Sequence, residues 1–186
     1  HKTDENRQYH LCLFFGCLVV SFFLLYIIFI KSGILYEIVN ALGINMNARN
    51  YFYDYILQFV DLSPFFMGLG RGTVTDLMAL NYGYLYVHSD IIKMYAEIGM
   101  LGFIIWSSYY FIWLTKLFCR KYGNEVAVFC FMVMLYTSVL FLTDNTENYY
   151  ICQLVKTTLP MAYAVSKSSN TLRCKKMSDL EKRVIK

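Results

Sequence analysis

The sequence predicts an all-α integral membrane protein with about four transmembrane helices and a large helical outer loop between the first and the second. Three observations predict this class. The 186 residues are 58% hydrophobic and only 16% charged. The apolar residues form long uncharged blocks, which a soluble domain of this length would not contain. The basic residues gather in three regions between and beside these blocks, as they do in cytoplasmic segments of membrane proteins.

The first predicted transmembrane helix covers residues 11–30 and follows a short cytoplasmic segment, residues 1–10. It contains no charged side chain, and at ~1.5 Å per residue it spans ~30 Å, the thickness of the hydrocarbon layer. A secretory signal peptide is a poorer interpretation, because the block is long and no small-residue cleavage site follows it. Since the chain begins with His1 in a polar run, we expect it to be the C-terminal portion of a longer protein.

The outer loop, residues 31–90, is expected to contain amphipathic helices that lie along the membrane surface. Apolar residues recur at helical spacing in its first part, namely at Ile34, Leu35, Ile38, Val39 and Leu42. Aromatic residues then dominate positions 51–60, and tyrosine in particular favours the membrane–water interface.

Three further transmembrane helices are predicted over residues 91–115, 126–143 and 149–165, the last of which contains Lys156 and Pro160. A cytoplasmic loop (116–125) and an outer loop (144–148) connect them, and a basic tail (166–186) follows. The regions rich in Lys and Arg precede the first helix, separate the second from the third and follow the fourth. With four crossings these regions share one side, so we expect both termini in the cytoplasm.

Several function classes are excluded by composition. The net charge of +4 is too small and too scattered for a nucleic-acid-binding protein. The six cysteines form no CxxC pair, so we interpret them as buried or free thiols rather than as disulfide partners or zinc ligands. No cluster of His, Cys, Asp or Glu has metal-ligand spacing, so no metal site and no cofactor are predicted.

His88 is the strongest candidate for chemistry. Ser89 and Asp90 are good N-caps for a helix that begins near Ile91. A helix N-terminus disfavours a positive charge, which favours a neutral imidazole able to accept a proton, and it attracts anions such as phosphates. An ordinary polar residue at the membrane interface is the alternative. The small residues Ala96, Gly99 and Gly102 further along this helix are expected to pack against another span.

The other candidates are two arginines, a glycine and a glutamate. Arg71 lies between Gly70 and Gly72, where the backbone can bend towards a ligand, and arginine suits bidentate binding of phosphate. This glycine segment lacks the Gly-Lys-Ser/Thr of a nucleotide loop. Arg49 is the second arginine of the outer loop. Glu97 is expected to pair with Lys93, four residues before it, with substrate binding as the alternative role.

The order of these residues carries a resemblance. The chain presents Arg49, Pro64, Gly68-Leu-Gly70, His88-Ser89 and Glu97-Ile-Gly99-Met-Leu-Gly102, with a transmembrane helix before and after. This pattern resembles the O-antigen ligase and polymerase superfamily of bacterial membranes. The resemblance implies a metal-independent glycosyltransferase of the bacterial cell membrane that uses glycans carried on undecaprenyl pyrophosphate. It also implies Arg49 and His88 as the catalytic pair, with a flippase and a chain-length regulator as partners.

We therefore expect a polymerase of lipid-linked oligosaccharide repeats in O-antigen, capsule or exopolysaccharide synthesis. Arg49 and His88 are its predicted catalytic residues, and Arg71, Glu97 and Gly70 are predicted to bind the pyrophosphate or the glycan. Two alternatives stay open. One is a ligase that transfers a finished glycan to lipid A-core. The other is a non-enzymatic transport or scaffold subunit with four spans, which the charge of Lys156 inside a hydrophobic block would suit.

Overall fold

A computed structural model of the chain describes residues 2–46, 49–83, 86–143 and 150–184, and the regular secondary structure of this part is entirely helical, with no β-strand. The prediction of an all-helical fold is confirmed for these residues. The helices are α1 (Lys2–Lys31), α2 (Ile34–Ala41), α3 (Arg49–Leu57), α4 (Thr73–Tyr82), α5 (Asp90–Ser108), a π-helical turn (Tyr109–Trp113), α6 (Leu114–Tyr122), α7 (Asn124–Thr143) and α8 (Tyr150–Val184).

Three stretches of helix in the described part of the chain are long and apolar enough to cross a membrane. They are Arg7–Lys31, Asp90–Tyr122 and Asn124–Leu142. The first continues the helix that begins at Lys2, so residues 2–10 extend α1 instead of forming a separate segment. A membrane location is consistent with these lengths, and with large apolar side chains exposed along α1, such as Phe14, Phe22 and Leu25.

The helix α1 packs against α5 and against the π-helical turn. The ring of Phe23 on α1 lies 6.4 Å from that of Phe103 and 5.8 Å from that of Phe111. Gly16 faces the same turn, and a Cβ added there would lie 2.8 Å from the carbonyl oxygen of Phe111. The two helices therefore approach closely at Gly16, as small residues allow between membrane helices.

The second candidate span is divided at Gly99. Its 33 residues exceed the ~20 that a crossing needs, and Gly99 has non-helical dihedral angles, φ 71° and ψ −178°. The nine-residue segment Asp90–Ile98, which we call the entry segment, is almost entirely buried. Residues 100–122 alone are long enough to cross ~30 Å at ~1.5 Å per residue, and the crossing over residues 91–115 stays a prediction.

The last helix differs most from the expectation. α8 runs for 35 residues without interruption through Pro160, and residues 166–184, expected as a tail, continue it. It packs along α7, with the rings of Phe129 and Tyr163 4.7 Å apart and an ion pair between Lys167 and Glu125. It is not among the three candidate spans, so a fourth crossing over 149–165 stays a proposal. The predicted outer loop 144–148 lies outside the described residues.

Candidate functional site

His88 lies in a strained turn immediately before α5. Its φ of 56° makes it the sole non-glycine residue with positive φ in the part of the chain that the structure describes. Such a conformation costs roughly 1–3 kcal/mol and persists only where neighbouring contacts hold it. The hydroxyl of Tyr53, which is buried in α3, donates a hydrogen bond of 3.0 Å to the carbonyl oxygen of His88. This contact ties the turn to α3.

Ser89 is the N-cap of α5, as predicted. Its side-chain oxygen accepts a hydrogen bond of 3.4 Å from the backbone N–H of Ile92, which satisfies one of the free donors of the first turn. The same hydroxyl donates to the carbonyl oxygen of Phe141, 3.4 Å away, at the end of α7. Ser89 is completely buried. The start of α5 is therefore fixed to α3 on one side and to α7 on the other.

Tyr26 brings α1 to the same place. Its hydroxyl donates to the carbonyl oxygen of Leu142, 3.2 Å away, and it lies close to the side chains of Ser89 and Tyr53. The guanidinium of Arg49 is near enough to act electrostatically on both tyrosines. We call Tyr26, Arg49, Tyr53, His88 and Ser89 the Tyr26 cluster. It joins the ends of α1 and α7 with the first residues of α3 and α5.

Burial keeps Tyr53 of this cluster protonated. Desolvation raises the pKa of Tyr53 above its ordinary value, the proximity of Tyr26 adds to the shift, and the positive charge of Arg49 opposes it. Tyr53 therefore stays a neutral hydrogen-bond donor at physiological pH. Arg49 is half-buried and supplies a positive charge beside neutral hydroxyls, an arrangement that can bind a phosphate group.

The two glycine motifs of the sequence meet through their backbones. The N–H groups of Leu69 and Gly70 donate to the carbonyl oxygens of Ala96 and Glu97, at 2.8 and 3.0 Å, and the N–H of Met100 donates to the carbonyl oxygen of Phe66 at 3.0 Å. These bonds replace those that the helix loses at Gly99. We call this arrangement the glycine contact.

The glycine contact leaves no room for side chains at its centre. A Cβ at Gly68 would lie 2.6 Å from the nitrogen of Gly99, and a Cβ at Gly99 would lie 2.5 Å from the carbonyl carbon of Met67. Our expectation that Gly99 and Gly102 pack against another span is therefore wrong. Gly99 packs against the loop at residues 66–68, and a Cβ at Gly102 would lie 3.0 Å from Ile98 of its own helix.

The structure brings some predicted site residues together and separates others. Tyr53 bridges the helix of Arg49 to the turn of His88, whereas Gly70 and Glu97 meet in the glycine contact at the other end of the entry segment. Arg71 lies exposed in the turn before α4. The expected ion pair between Glu97 and Lys93 is not formed. The Glu97 side chain is 4% exposed, and its Oε1 has no hydrogen-bond partner among the described residues.

No protein-family model, curated protein or solved structure matches this chain. The interpretation of the Tyr26 cluster therefore depends on its own geometry. Among the described residues, no group of three or more His, Cys, Asp or Glu side chains is arranged to hold a metal ion.

Two members of the Tyr26 cluster, Tyr26 and Tyr53, were not predicted from the sequence. Tyr53 lies four residues after Arg49, on the same face of a helix, and this spacing could have identified it. Tyr26 is the single tyrosine of the uncharged block 11–30. A lone phenol near the end of a membrane helix is a usable signal, because its hydroxyl needs a partner when it is buried.

An apolar groove between α1 and α7 leads to the cluster. Its volume is about 820 Å³. It extends from Gln8 to Phe23 along α1 and from Val128 to Leu142 along α7. Its end at Phe23 and Leu142 adjoins Tyr26, which donates its hydrogen bond to Leu142. The groove is long enough for a lipid chain of roughly 20 Å at ~1.5 Å per helical residue, with a polar end at the Tyr26 cluster.

Proposed function

We propose that this chain forms the site-bearing portion of a membrane glycosyltransferase that polymerises oligosaccharide repeats carried on undecaprenyl pyrophosphate. The observation that carries the proposal is the hydrogen bond from Tyr53 to the carbonyl oxygen of His88. It joins the helix of Arg49 to the turn of His88, although the two residues are far apart in the sequence. The apolar groove beside Tyr26 supports a lipid-linked substrate.

The proposed reaction is a direct displacement at the anomeric carbon of the donor glycan. The acceptor sugar hydroxyl attacks this carbon, its proton passes to the imidazole of His88, and the bond from carbon to the pyrophosphate oxygen breaks. The leaving pyrophosphate gains negative charge, which Arg49 stabilises more strongly in the transition state than in the bound donor. The exposed Arg71 is available to bind a second phosphate or the glycan.

The test is complementation of a deletion strain with variants of the whole protein. We expect His88→Ala and Arg49→Ala to abolish the ladder of long glycans while single lipid-linked repeats persist. Matched controls are His10→Ala and Arg120→Ala, which remove the same side-chain types at exposed positions outside the cluster. Normal ladders in both site variants would contradict the proposed site. Ladders that form on the carrier but fail to reach lipid A-core would instead indicate a ligase.

A transport subunit is the second candidate, because of Lys156. This side chain is 3% exposed within α8, and its Nζ lies 4.0 Å from the centroid of the Phe141 ring. Charged residues within membrane segments often mark a substrate path. A transport role predicts that Lys156→Met retains the lipid-linked repeats on the cytoplasmic side of the membrane. The polymerase proposal predicts that these repeats reach the outer side in the same variant.

A further inference from the structure

The helix α2 presents an apolar face that the rest of the described chain leaves uncovered. Ile34 and Ile38 of α2 and Leu42, the residue that caps its C-terminus, are 42%, 45% and 67% exposed, and no residue of α2 is fully buried. Their spacing of four residues places them on one side of the helix. Glu37 and Asn40 are on a different side, so α2 is amphipathic in the manner of helices that lie in a membrane interface.

The position of α2 indicates what covers this face. α1 ends at Lys31, and α2 begins three residues later after Gly33, whose φ of 79° turns the chain. The last turns of α1 expose Ile28 and Phe29, which belong to a segment long and apolar enough to cross a membrane. The exposed face of α2 thus follows directly in sequence on an exposed apolar surface of α1. A bilayer that surrounds the end of α1 also reaches α2, so the bilayer is the occupant that this proximity favours.

The opposite side of α2 is connected to the candidate site. The hydroxyl of Tyr36 donates a hydrogen bond of 2.8 Å to Oδ1 of Asp54 on α3. Burial and the Asp54 carboxylate raise the pKa of Tyr36, so the phenol keeps this proton. Lys31 donates to the carbonyl oxygens of Leu57, at 3.1 Å, and of Val60, which suits the negative end of a helix. Both contacts hold α3, the helix of Arg49.

We propose that α2 is an interfacial helix that inserts Ile34, Ile38 and Leu42 into the bilayer at the end of α1. Through Tyr36 and Asp54 it fixes the height of α3, and hence of Arg49, relative to the lipid phosphates. The interaction surface is the apolar face of α2, and its partner is the lipid bilayer. The placement of Arg49 at a pyrophosphate rests on the function proposed above, whereas the insertion of α2 does not.

The insertion is tested by electron paramagnetic resonance on the whole protein in lipid nanodiscs. A genetically encoded spin-labelled amino acid is placed at position 38 on the apolar face, or at position 40 on the polar face as the matched control. We expect the label at 38 to lie ~5–10 Å below the phosphate level. There it should be relaxed more strongly by dissolved molecular oxygen than by a water-soluble nickel chelate. The label at 40 should respond to a water-soluble nickel chelate. Equal nickel accessibility at the two positions would overturn the proposal.

A second copy of the chain is the competing occupant, and the same labels distinguish it. Dipolar broadening at position 38 that disappears on dilution with unlabelled protein would show a protein contact on this face and would overturn the bilayer as its partner. We expect no such broadening. This measurement does not depend on enzymatic activity, so its failure is distinct from a failure of the proposed glycosyltransferase function.

The link to α3 is tested by Tyr36→Phe with the spin label at position 51, two residues after Arg49 on α3. We expect the label at 51 to become more mobile, while a label at 38 keeps its depth. Tyr55→Phe is the matched control, since the described residues offer its hydroxyl no hydrogen bond. An unchanged spectrum at 51 in a folded Tyr36→Phe protein would overturn the coupling between α2 and Arg49.

Discussion

At the scale of single residues, the glycines between α3 and α4 differ in their surroundings although their backbones are alike. Gly68 and Gly72 have φ of 87° and 89°. An added Cβ at Gly68 would collide with the backbone of Glu97 and Gly99, whereas nothing lies within 4 Å of a Cβ at Gly72. An alanine at either position therefore bears the strain of a left-handed backbone, whereas only an alanine at Gly68 also meets a steric clash.

We predict that Gly68→Ala destabilises the folded protein by at least ~2 kcal/mol more than Gly72→Ala. Both variants bear the strain of alanine at positive φ, and Gly68→Ala must also force apart two hydrogen-bonded backbones. The measurement is thermal unfolding in detergent, followed by tryptophan fluorescence. Equal destabilisation by the two variants would show that residues 66–70 do not pack on Gly99.

The hydroxyl of Tyr53 is predicted to stabilise the His88 turn. Tyr53→Phe removes a part-buried hydrogen bond to the carbonyl oxygen of His88, which costs about 0.5–1.5 kcal/mol. The control is Tyr55→Phe, on the same helix and without a hydroxyl hydrogen bond in the described structure. Unfolding in urea should separate the two variants. A Tyr53→Phe protein as stable as the Tyr55→Phe control would contradict the proposed bridge.

At the scale of elements, the sequence predicts where helices occur better than where they break. The capping serine and the uncharged blocks were enough to predict the start of α5 and the main helices. The break at Gly99 was not predicted, because the residues on either side of Gly99 in the sequence favour a continuous helix. The residues that it contacts, 66–70, are distant in sequence. Only a tertiary contact determines whether a glycine interrupts a helix or packs within it.

Gly16 gives an element-scale prediction about the packing of α1 on the π-helical turn. Because a Cβ there would lie 2.8 Å from the carbonyl oxygen of Phe111, Gly16→Val must separate the two helices. We expect a loss of ~1–3 kcal/mol of stability. Ser21→Val, at an exposed position on the same helix, is the control and should be nearly neutral. Thermal unfolding compares the two variants, and similar stabilities would refute the close approach.

At the scale of the whole molecule, the all-helical class follows from the sequence because uncharged blocks of membrane length have few other stable forms. The candidate site could be predicted from the sequence only in part. Arg49 and His88 were predicted from their order along the chain. Tyr26 and the carbonyl groups of α7 were not, because only the folded chain brings them close to these residues. Glu97 was expected in an ion pair and is instead buried beside the glycine contact.

The number of crossings decides the topology. Three helices of the described chain qualify by length and composition, and we propose α8 as the fourth. Four crossings put both ends on one side, so a reporter fused after residue 186 should be active in the cytoplasm, as should one fused before residue 1. Activity of the C-terminal reporter on the outer side alone would show that α8 does not cross.

The central claim, that the Tyr26 cluster transfers glycans from a lipid carrier, is tested most directly by reconstitution. The whole protein, purified into nanodiscs, is incubated with a repeat unit linked to undecaprenyl pyrophosphate, and the lengths of the carrier-linked glycans are measured by mass spectrometry. We predict products of two or more repeats together with free undecaprenyl pyrophosphate, and neither with His88→Ala. Folded wild-type protein that leaves the single repeats unchanged would contradict the claim.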